Sequence, residues 1–155
     1  MTTEKQRRIC LVASAGGHLS ELLKIAKVWS GQRVCWITTV DVVRDTLGKT
    51  GEVHVVGECN RQHPLRVIGV FFRCLRIIRQ ERPNVVISTG AAPGCLVALL
   101  GHFAGARVIW LDSITNVHRL SLSGRLVRPF ADLFLVQWPA LARKYRGVEY
   151  VGAVV

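Results

Sequence analysis

The sequence predicts a doubly wound α/β domain, a mainly parallel, Rossmann-like sheet covered by helices on both faces. Short runs rich in β-branched residues alternate with helical stretches along all 155 residues. The runs at 85–88 and 133–136 are almost wholly apolar, which is typical of parallel strands buried on both sides. Half of the residues are hydrophobic and 20% are charged, so the chain has enough apolar surface for a core and is not disordered. The length favours a single domain over residues 1–155.

The elements follow from this alternation, taken in chain order. The strands are the short apolar runs, expected at Arg8–Ala13, Arg33–Thr38, Val53–Val56, Val85–Ser88, Arg107–Leu111, Leu133–Gln137 and Tyr150–Val151. The helices are the longer stretches between them, expected at Leu19–Trp29, Asp41–Leu47, Pro64–Arg82, Gly94–Ala104, Leu122–Phe130 and Pro139–Tyr145. The longest helix stops before Pro83, because proline cannot continue a helix. Ligands of such sheets bind beyond the carboxyl ends of the strands, so the loops after the first, fourth and fifth strands are the candidate sites.

The charge balance indicates an anionic partner. Lys and Arg number 21 against 10 Asp and Glu, a formal net charge of +11, and most of the excess follows residue 60. Most of these cations are arginines, whose forked guanidinium suits phosphates. A nucleic acid, a lipid headgroup or a phosphorylated substrate would each fit, and so would a basic surface kept only for solubility.

No cofactor, metal or membrane span is expected. The five cysteines are widely spaced and form no C-x-x-C pair, so they are interpreted as small buried hydrophobes in a reducing cytoplasm. The segment Thr2–Arg8 is polar and the apolar run after it is short, which argues against a signal peptide. The uncharged stretch Asn84–Ala106 is interrupted at Pro93 and Gly94, which leaves a helix too short to cross a bilayer.

The first loop, residues 14–18, directly follows a strand and opens a helix. Ser14, Gly16 and Gly17 would bring backbone N–H groups close to an anion at the helix N-terminus. The loop is not G-x-G-x-x-G and no acidic residue closes the second strand, so a dinucleotide is not expected. His18 stands at the positive end of the helix dipole, which favours a neutral imidazole suited to general base catalysis. It would alternatively be only a helix-start residue.

Two further loops carry polar residues. The loop at 88–94 places Thr89, Gly90 and Gly94 before a helix, as either an anion or sugar cradle or a tight turn. The region after the fifth strand holds Asp112 just past the strand end, followed by His118, Arg119 and Ser121. Asp112 would orient a hydroxyl or an imidazole, and Arg119 would pair with a phosphate. The alternative is an Asp–Arg pair on the surface that contributes little.

Four motifs in order resemble a known family. They are GGH after the first strand, STGAAPG after the fourth, LDSI–(x)3–HRLSLSGRL after the fifth, and FLVQWP near the end. Together they resemble the acceptor-side subunit of bipartite glycosyltransferases, which includes the membrane-recruiting partner of the dolichol-linked N-acetylglucosaminyltransferase and bacterial exopolysaccharide counterparts. The chain departs from that pattern at Asp112, where Glu is expected, and at Asn116, where a basic residue is expected.

The resemblance implies the N-terminal half of a GT-B glycosyltransferase, with the nucleotide-sugar half on a separate chain. The chain would bind a polyprenyl (di)phosphate-linked saccharide at the cytoplasmic membrane face and recruit the subunit that holds the UDP-sugar. It would be inactive alone, since only one of the two domains of a GT-B enzyme is expected within 155 residues. His18 is the preferred base and Asp112 its helper, with exchanged roles or a base on the partner as alternatives. Ser14, Gly16, Gly17, Thr89, Gly90, Gly94, Arg119 and Ser121 are then candidate acceptor or phosphate ligands.

The long helix is a candidate membrane contact. Its apolar residues cover a wider arc than one sheet face requires, and arginines flank that arc. The expected contact residues are Arg66, Phe71, Phe72, Arg73 and Arg76. The helix would otherwise be wedged between the sheet and a neighbouring helix or subunit. Gln137, Trp138 and Pro139 are expected at the interface with the donor subunit, because an aromatic residue there would anchor the two halves. Alternatively, Trp138 would pack under the chain's own C-terminal helix.

Two functions of other classes are kept as alternatives. A basic nucleic-acid-binding α/β module would use the same charge, but aromatic residues make up only 7% of the chain and no stacking platform or helix-turn-helix pattern is evident. A self-sufficient nucleotide-binding enzyme would need the acidic cofactor residue and the second domain that this sequence does not indicate.

Overall fold

In the computed structural model, which describes residues 6–154, all strands join one parallel seven-stranded sheet. The spatial order is β3-β2-β1-β4-β5-β6-β7. The strands are β1 Arg8–Val12, β2 Arg33–Thr38, β3 Glu52–Val55, β4 Val85–Ser88, β5 Arg107–Leu111, β6 Leu133–Val136 and β7 Glu149–Tyr150. The predicted Rossmann-like α/β fold is therefore confirmed. Residues 1–5 and 155, which include the start of the polar segment Thr2–Arg8 and the ends of the predicted domain 1–155, lie outside the described residues.

Helices fill the connections between the strands. They are α1 Gly17–Ala26, α2 Arg44–Leu47, α3 Pro64–Glu81, α4 Ala91–Phe103, α5 Leu122–Val127 and α6 Pro139–Lys144. Short 3-10 turns extend or precede three of them, at Lys27–Trp29, Asp41–Val43 and Arg128–Phe130. At the end of α3, Arg82 has a φ of 46° and its N–H bonds the carbonyl of Ile78, so the chain leaves the helix just before Pro83.

Two of the predicted helix starts are wrong by two or three residues. The structure begins α1 at Gly17 and α4 at Ala91, where the sequence predicts Leu19 and Gly94. In both cases a glycine directly before the helix, Gly16 at φ 94° and Gly90 at φ 130°, makes the turn. Because the turn is complete at the glycine, the helix starts at once. With the 3-10 turns counted as part of their helices, the other predicted bounds agree with the observed ones or differ by one residue.

The two sheet faces are covered by different helices. One face packs against α3, α4, α5 and α6, with core residues such as Cys10, Val12, Val97 and Phe134. The opposite face packs against α1 and α2, with core residues such as Leu11, Leu22 and Leu47.

Most of the cysteines behave as the sequence predicts in the described chain, whereas the predicted interruption of the uncharged stretch at Pro93 and Gly94 is wrong, because α4 runs through both residues. All five thiols are free, and four of them, Cys10, Cys35, Cys74 and Cys95, are buried. Burial raises the pKa of Cys74 to about 12 and that of Cys95 to about 11, so both thiols are neutral. Among the helices of residues 6–154, none combines the length and the apolar content that a membrane crossing requires.

Candidate functional site

The site lies where the sheet order reverses. Neighbouring strands β1 and β4 are hydrogen-bonded, and the chain leaves β1 towards β2 on one side and β4 towards β5 on the other. The loops after β1 and β4 therefore separate, which opens a crevice at the carboxyl edge of the sheet. Helices α1 and α4 both begin at this crevice, so their free N–H groups create a positive potential there.

His18 and Thr89 link the two helix starts. The Nδ1 atom of His18 lies 2.7 Å from the Thr89 carbonyl oxygen, and the Thr89 hydroxyl donates to the His18 carbonyl at 2.6 Å. A carbonyl oxygen only accepts, so Nδ1 carries a hydrogen and donates it to Thr89. His18 is half-buried, while Thr89 is fully buried. The contact therefore fixes the orientation of the imidazole.

Gly90 gives the imidazole its room. A Cβ atom at Gly90 would lie 2.7 Å from Cε1 and 2.9 Å from Nδ1 of His18, and the residue has a φ of 130°. Ala91, the next residue, has a φ of 64°, which is a strained conformation for a residue with a side chain. A Cβ atom at Gly94 would collide with the Ser88 hydroxyl, so the absence of a side chain at Gly94 lets α4 approach β4. The predicted roles of both glycines as ligand contacts stay predictions.

A cavity of about 300 Å³ opens at the starts of α3 and α4, and neither His18 nor Thr89 is among its lining residues. Its walls come from the loops after β1, β2 and β3 and from the starts of α3 and α4, and they comprise Ser14, Thr39, Glu58, Cys59, Asn60, His63, Arg66, Ala91 and Pro93. Arg66, which the sequence assigns to the membrane, lines this cavity. Glu58 brings a carboxylate and Arg66 a guanidinium, while the other polar groups are hydroxyls, an amide and an imidazole.

Asp112 is held inside the chain. The residue is 1% exposed, and its Oδ1 accepts from Trp110 Nε1 at 3.1 Å and from the Ser121 hydroxyl at 2.6 Å. Its Oδ2 accepts from the Ser121 backbone N–H at 3.0 Å. The Ser121 hydroxyl in turn accepts from Gly124 N and so caps α5. The alternative of an exposed Asp112–Arg119 ion pair is therefore wrong, and Asp112 acts here as an anchor for α5.

The other phosphate-ligand candidates differ in access. Gly16 and Gly17 are exposed beside His18, and Ser14 is half-buried in the cavity wall. Arg119 is exposed on the loop after β5, where it could move towards a ligand. The Ser121 hydroxyl is already engaged by Asp112 and Gly124. Their assignment as ligands stays a prediction.

Glu21 is a site residue that the sequence did not reveal. It is 6% exposed on α1, three residues after His18, and its Oε1 accepts from Ile114 N at 3.1 Å and from Gln137 Nε2 at 3.0 Å. Gln137 Nε2 also donates to the Asp112 carbonyl at 3.1 Å. The buried carboxylate therefore joins α1 to the loops after β5 and β6. A charged residue on a helix normally points to solvent, so nothing local in the sequence signals this role.

The three residues predicted at the donor-subunit interface differ in exposure. Gln137 is buried, and its Oε1 accepts from Val154 N at 2.7 Å, so its amide serves the chain's own packing. Trp138 is half-buried against the core and donates from Nε1 to the Ile114 carbonyl at 2.6 Å. Pro139 is exposed. These contacts of Trp138 are those expected of packing within its own chain.

Helix α3 presents an exposed apolar stripe. Leu65, Ile68 and Phe72 recur at helical spacing and are all exposed, while Val70, Cys74, Ile77 and Ile78 face the core. Phe71 is half-buried, with its ring 5.4 Å from that of Phe72. Arg66, Arg73 and Arg76 are exposed beside the stripe, and Arg73 also donates to the Val56 carbonyl at 2.8 Å. We call Leu65, Ile68 and Phe72 the α3 stripe.

The chain is similar to known oligosaccharide biosynthesis proteins. Residues 46–154 match the family model described as "Oligosaccharide biosynthesis protein Alg14 like". The UDP-N-acetylglucosamine transferase subunit ALG14 of Yarrowia lipolytica is 31% identical over 96% of this chain and 81% of its own length. Its Rattus norvegicus counterpart is 25% identical over 100% of this chain and 86% of its own length.

A solved structure shares the fold. MurG of Acinetobacter baumannii superposes with a TM-score of 0.77 over 94% of this chain, at 15% sequence identity. The match covers 45% of the MurG chain, so the present chain spans a little less than half of that structure. At this identity the likeness concerns the fold.

Proposed function

The chain belongs to the Alg14-like family of oligosaccharide biosynthesis proteins, and on that basis we propose that it is the acceptor-side subunit of a two-chain UDP-sugar transferase. The sugar is N-acetylglucosamine by analogy with the relatives, whose names describe subunits of a UDP-N-acetylglucosamine transferase. The product is a lipid-linked oligosaccharide or polysaccharide. The observation that carries the proposal is the His18–Thr89 pair, which fixes an imidazole at the switch point of the sheet, where ligands of such folds bind.

His18 acts as the general base in this proposal. Transfer of a glycosyl group to a hydroxyl requires that the hydroxyl lose its proton as the new bond forms. Nε2 of His18 accepts that proton, while the bond from Nδ1 to Thr89 O stabilises the resulting imidazolium and holds the ring in place. Asp112 contributes indirectly, since it fixes the start of α5 through Ser121.

The acceptor's phosphate groups bind in and around the 300 Å³ cavity. The N–H groups at the starts of α1 and α4 and the guanidinium of Arg66 supply positive potential. We propose that the approach of the acceptor is shaped by residues of the loops after β1 and β4 and of the helix starts that follow them, namely Ser14, Gly16, Gly17, Thr89, Gly90 and Gly94, and that Arg119 and Ser121 contribute from the loop after β5. The same helix α3 contributes Arg66 to the cavity and Leu65 to the exposed stripe, which supports a polyprenyl diphosphate with its lipid directed along α3.

The chain contacts an anionic membrane surface through α3. Apolar side chains flanked by arginines suit the boundary between headgroups and acyl chains. Arg66, Arg73 and Arg76 supply the electrostatic attraction, and Phe72 inserts beside Phe71. We infer that this contact is peripheral and on the cytoplasmic face, where nucleotide sugars are available.

A separate chain supplies the UDP-sugar. The relatives' names describe subunits, which supports a heteromeric enzyme in which this chain recruits the donor-binding partner and is inactive alone. We place the interface at the end of β6, at the exposed Pro139 and the half-buried Trp138, next to the buried Gln137. Mixing the purified chain with its donor-binding subunit and measuring sugar transfer from UDP-N-acetylglucosamine to a polyprenyl diphosphate-linked acceptor tests the proposal.

A further inference from the structure

Three potential metal ligands meet at β3, the strand at one side edge of the sheet. Glu52 and His54 alternate on β3, so their side chains share one face, and Glu81 is the last residue of α3. His54 Nε2 lies 2.9 Å from Glu81 Oε1 and 3.9 Å from Glu52 Oε1. All three donor atoms lie within 4.8 Å of one another.

The Glu81 carboxylate is in an unfavourable place for a negative charge. Its side chain is 7% exposed, and it stands at the C-terminal end of α3, where the helix dipole is negative. Among residues 6–154, no Lys or Arg nitrogen forms an ion pair with Glu81, and its charged-group partner is His54. A cation bound beside Glu81 would offset both the burial of this carboxylate and the negative end of the helix dipole.

We propose that Glu52, His54 and Glu81 bind a divalent transition-metal cation, of which Zn²⁺ is the representative. Imidazole nitrogens and carboxylate oxygens are both ligand types of zinc, with metal–ligand distances of about 2.0–2.2 Å. Three donors within 4.8 Å of one another can meet one ion after small side-chain rotations. The Glu52 side chain is 58% exposed, which leaves a path for the ion and a position for water.

The bound ion would connect an edge strand to the longest helix. Strand β3 is the last strand on its side of the sheet, and α3 carries the exposed stripe and one wall of the cavity. The ion would hold β3 to the end of α3, and β3 is separated by β2 from the strands β1 and β4 that flank the crevice. Its role would therefore be structural. The sequence alone does not reveal this cluster, because Glu81 follows His54 by 27 residues and comes close to it only through folding.

Titration calorimetry of the untagged, chelator-treated full chain with ZnCl₂ tests the proposal. We expect one saturable equivalent, and at least about tenfold weaker binding for Glu52→Gln and for His54→Asn. Glu52→Gln is the variant least able to disturb folding, because that side chain is largely exposed. The matched controls His63→Asn and Cys59→Ser, which alter a histidine and a thiol outside the cluster, should bind as the wild type does.

The ligand type is tested by Co²⁺ substitution. A site of imidazole and carboxylates gives weak d–d bands without the intense thiolate charge-transfer band that cysteine ligands produce. The proposal is overturned by the absence of saturable binding, by a thiolate band in the Co²⁺ spectrum, or by unchanged affinity in both Glu52→Gln and His54→Asn.

Discussion

The Nδ1 atom of His18 and the carbonyl oxygen of Thr89 are 2.7 Å apart, although 71 residues separate them in the chain. The return bond from the Thr89 hydroxyl to the His18 carbonyl makes the link reciprocal. The first turns of α1 and α4 are thereby held together at the crevice. The imidazole is positioned by backbone rather than by a flexible side chain, which makes its orientation a property of the fold.

Replacing His18 by Ala should lower turnover of the assembled enzyme by roughly 10²–10⁴-fold, because the acceptor hydroxyl loses its base. Binding to the partner and to membranes should not change. The matched control is His102→Ala, which removes a half-buried histidine that stacks near Phe103 and Phe130 on the last turn of α4. Near-normal turnover in His18→Ala would show that His18 is only a helix-start residue and that the general base lies on the partner chain.

Replacing Gly90 by Ala should reproduce much of that loss without touching the imidazole chemically. The new Cβ would lie 2.7 Å from Cε1 of His18 and would push the ring out of place. Gly105→Ala is the control for backbone strain, since Gly105 has a φ of 89° but open space around it. Comparable kinetics for the two variants would show that the position of the ring is unimportant.

Replacing Asp112 by Asn tests whether this residue has a structural role or a catalytic one. The amide cannot accept all three hydrogen bonds, so we expect a loss of about 1–3 kcal/mol in the free energy of unfolding, measured by urea denaturation. Ser121→Ala should be destabilising through the same contacts, and the double variant should lose less than the sum. Unchanged stability together with lost turnover would instead give Asp112 a direct part in the reaction.

Replacing Leu65, Ile68 and Phe72 together by Ser should release the chain from anionic liposomes in a flotation assay. These side chains are exposed, so the fold should persist. The control is Val28→Ser with Val42→Ser, which removes exposed apolar residues outside α3. High salt or charge reversal of Arg66, Arg73 and Arg76 should weaken binding as well, because the attraction between exposed charges is screened. Flotation that survives all of these changes would exclude the α3 stripe as the membrane contact.

The sheet was predictable from the sequence because its strands are short apolar runs bounded by turns and charged residues. The meeting of the loops after β1 and β4 also followed, since parallel strands end at one edge. The His18–Thr89 bond did not follow, because it depends on the rotation of two helix starts. Asp112 and Glu21 show why burial is the hardest feature to predict: carboxylates next to polar residues resemble surface groups, and only packing places them inside.

The most direct test of the two-chain account compares three samples: this chain alone, the donor-binding subunit alone, and the two together. Each is supplied with labelled UDP-N-acetylglucosamine and a polyprenyl diphosphate-linked acceptor in anionic vesicles, and labelled lipid product is counted over time. The account predicts product from the mixture, with neither chain active by itself. Sustained transfer by this chain alone, after purification to homogeneity, would contradict it.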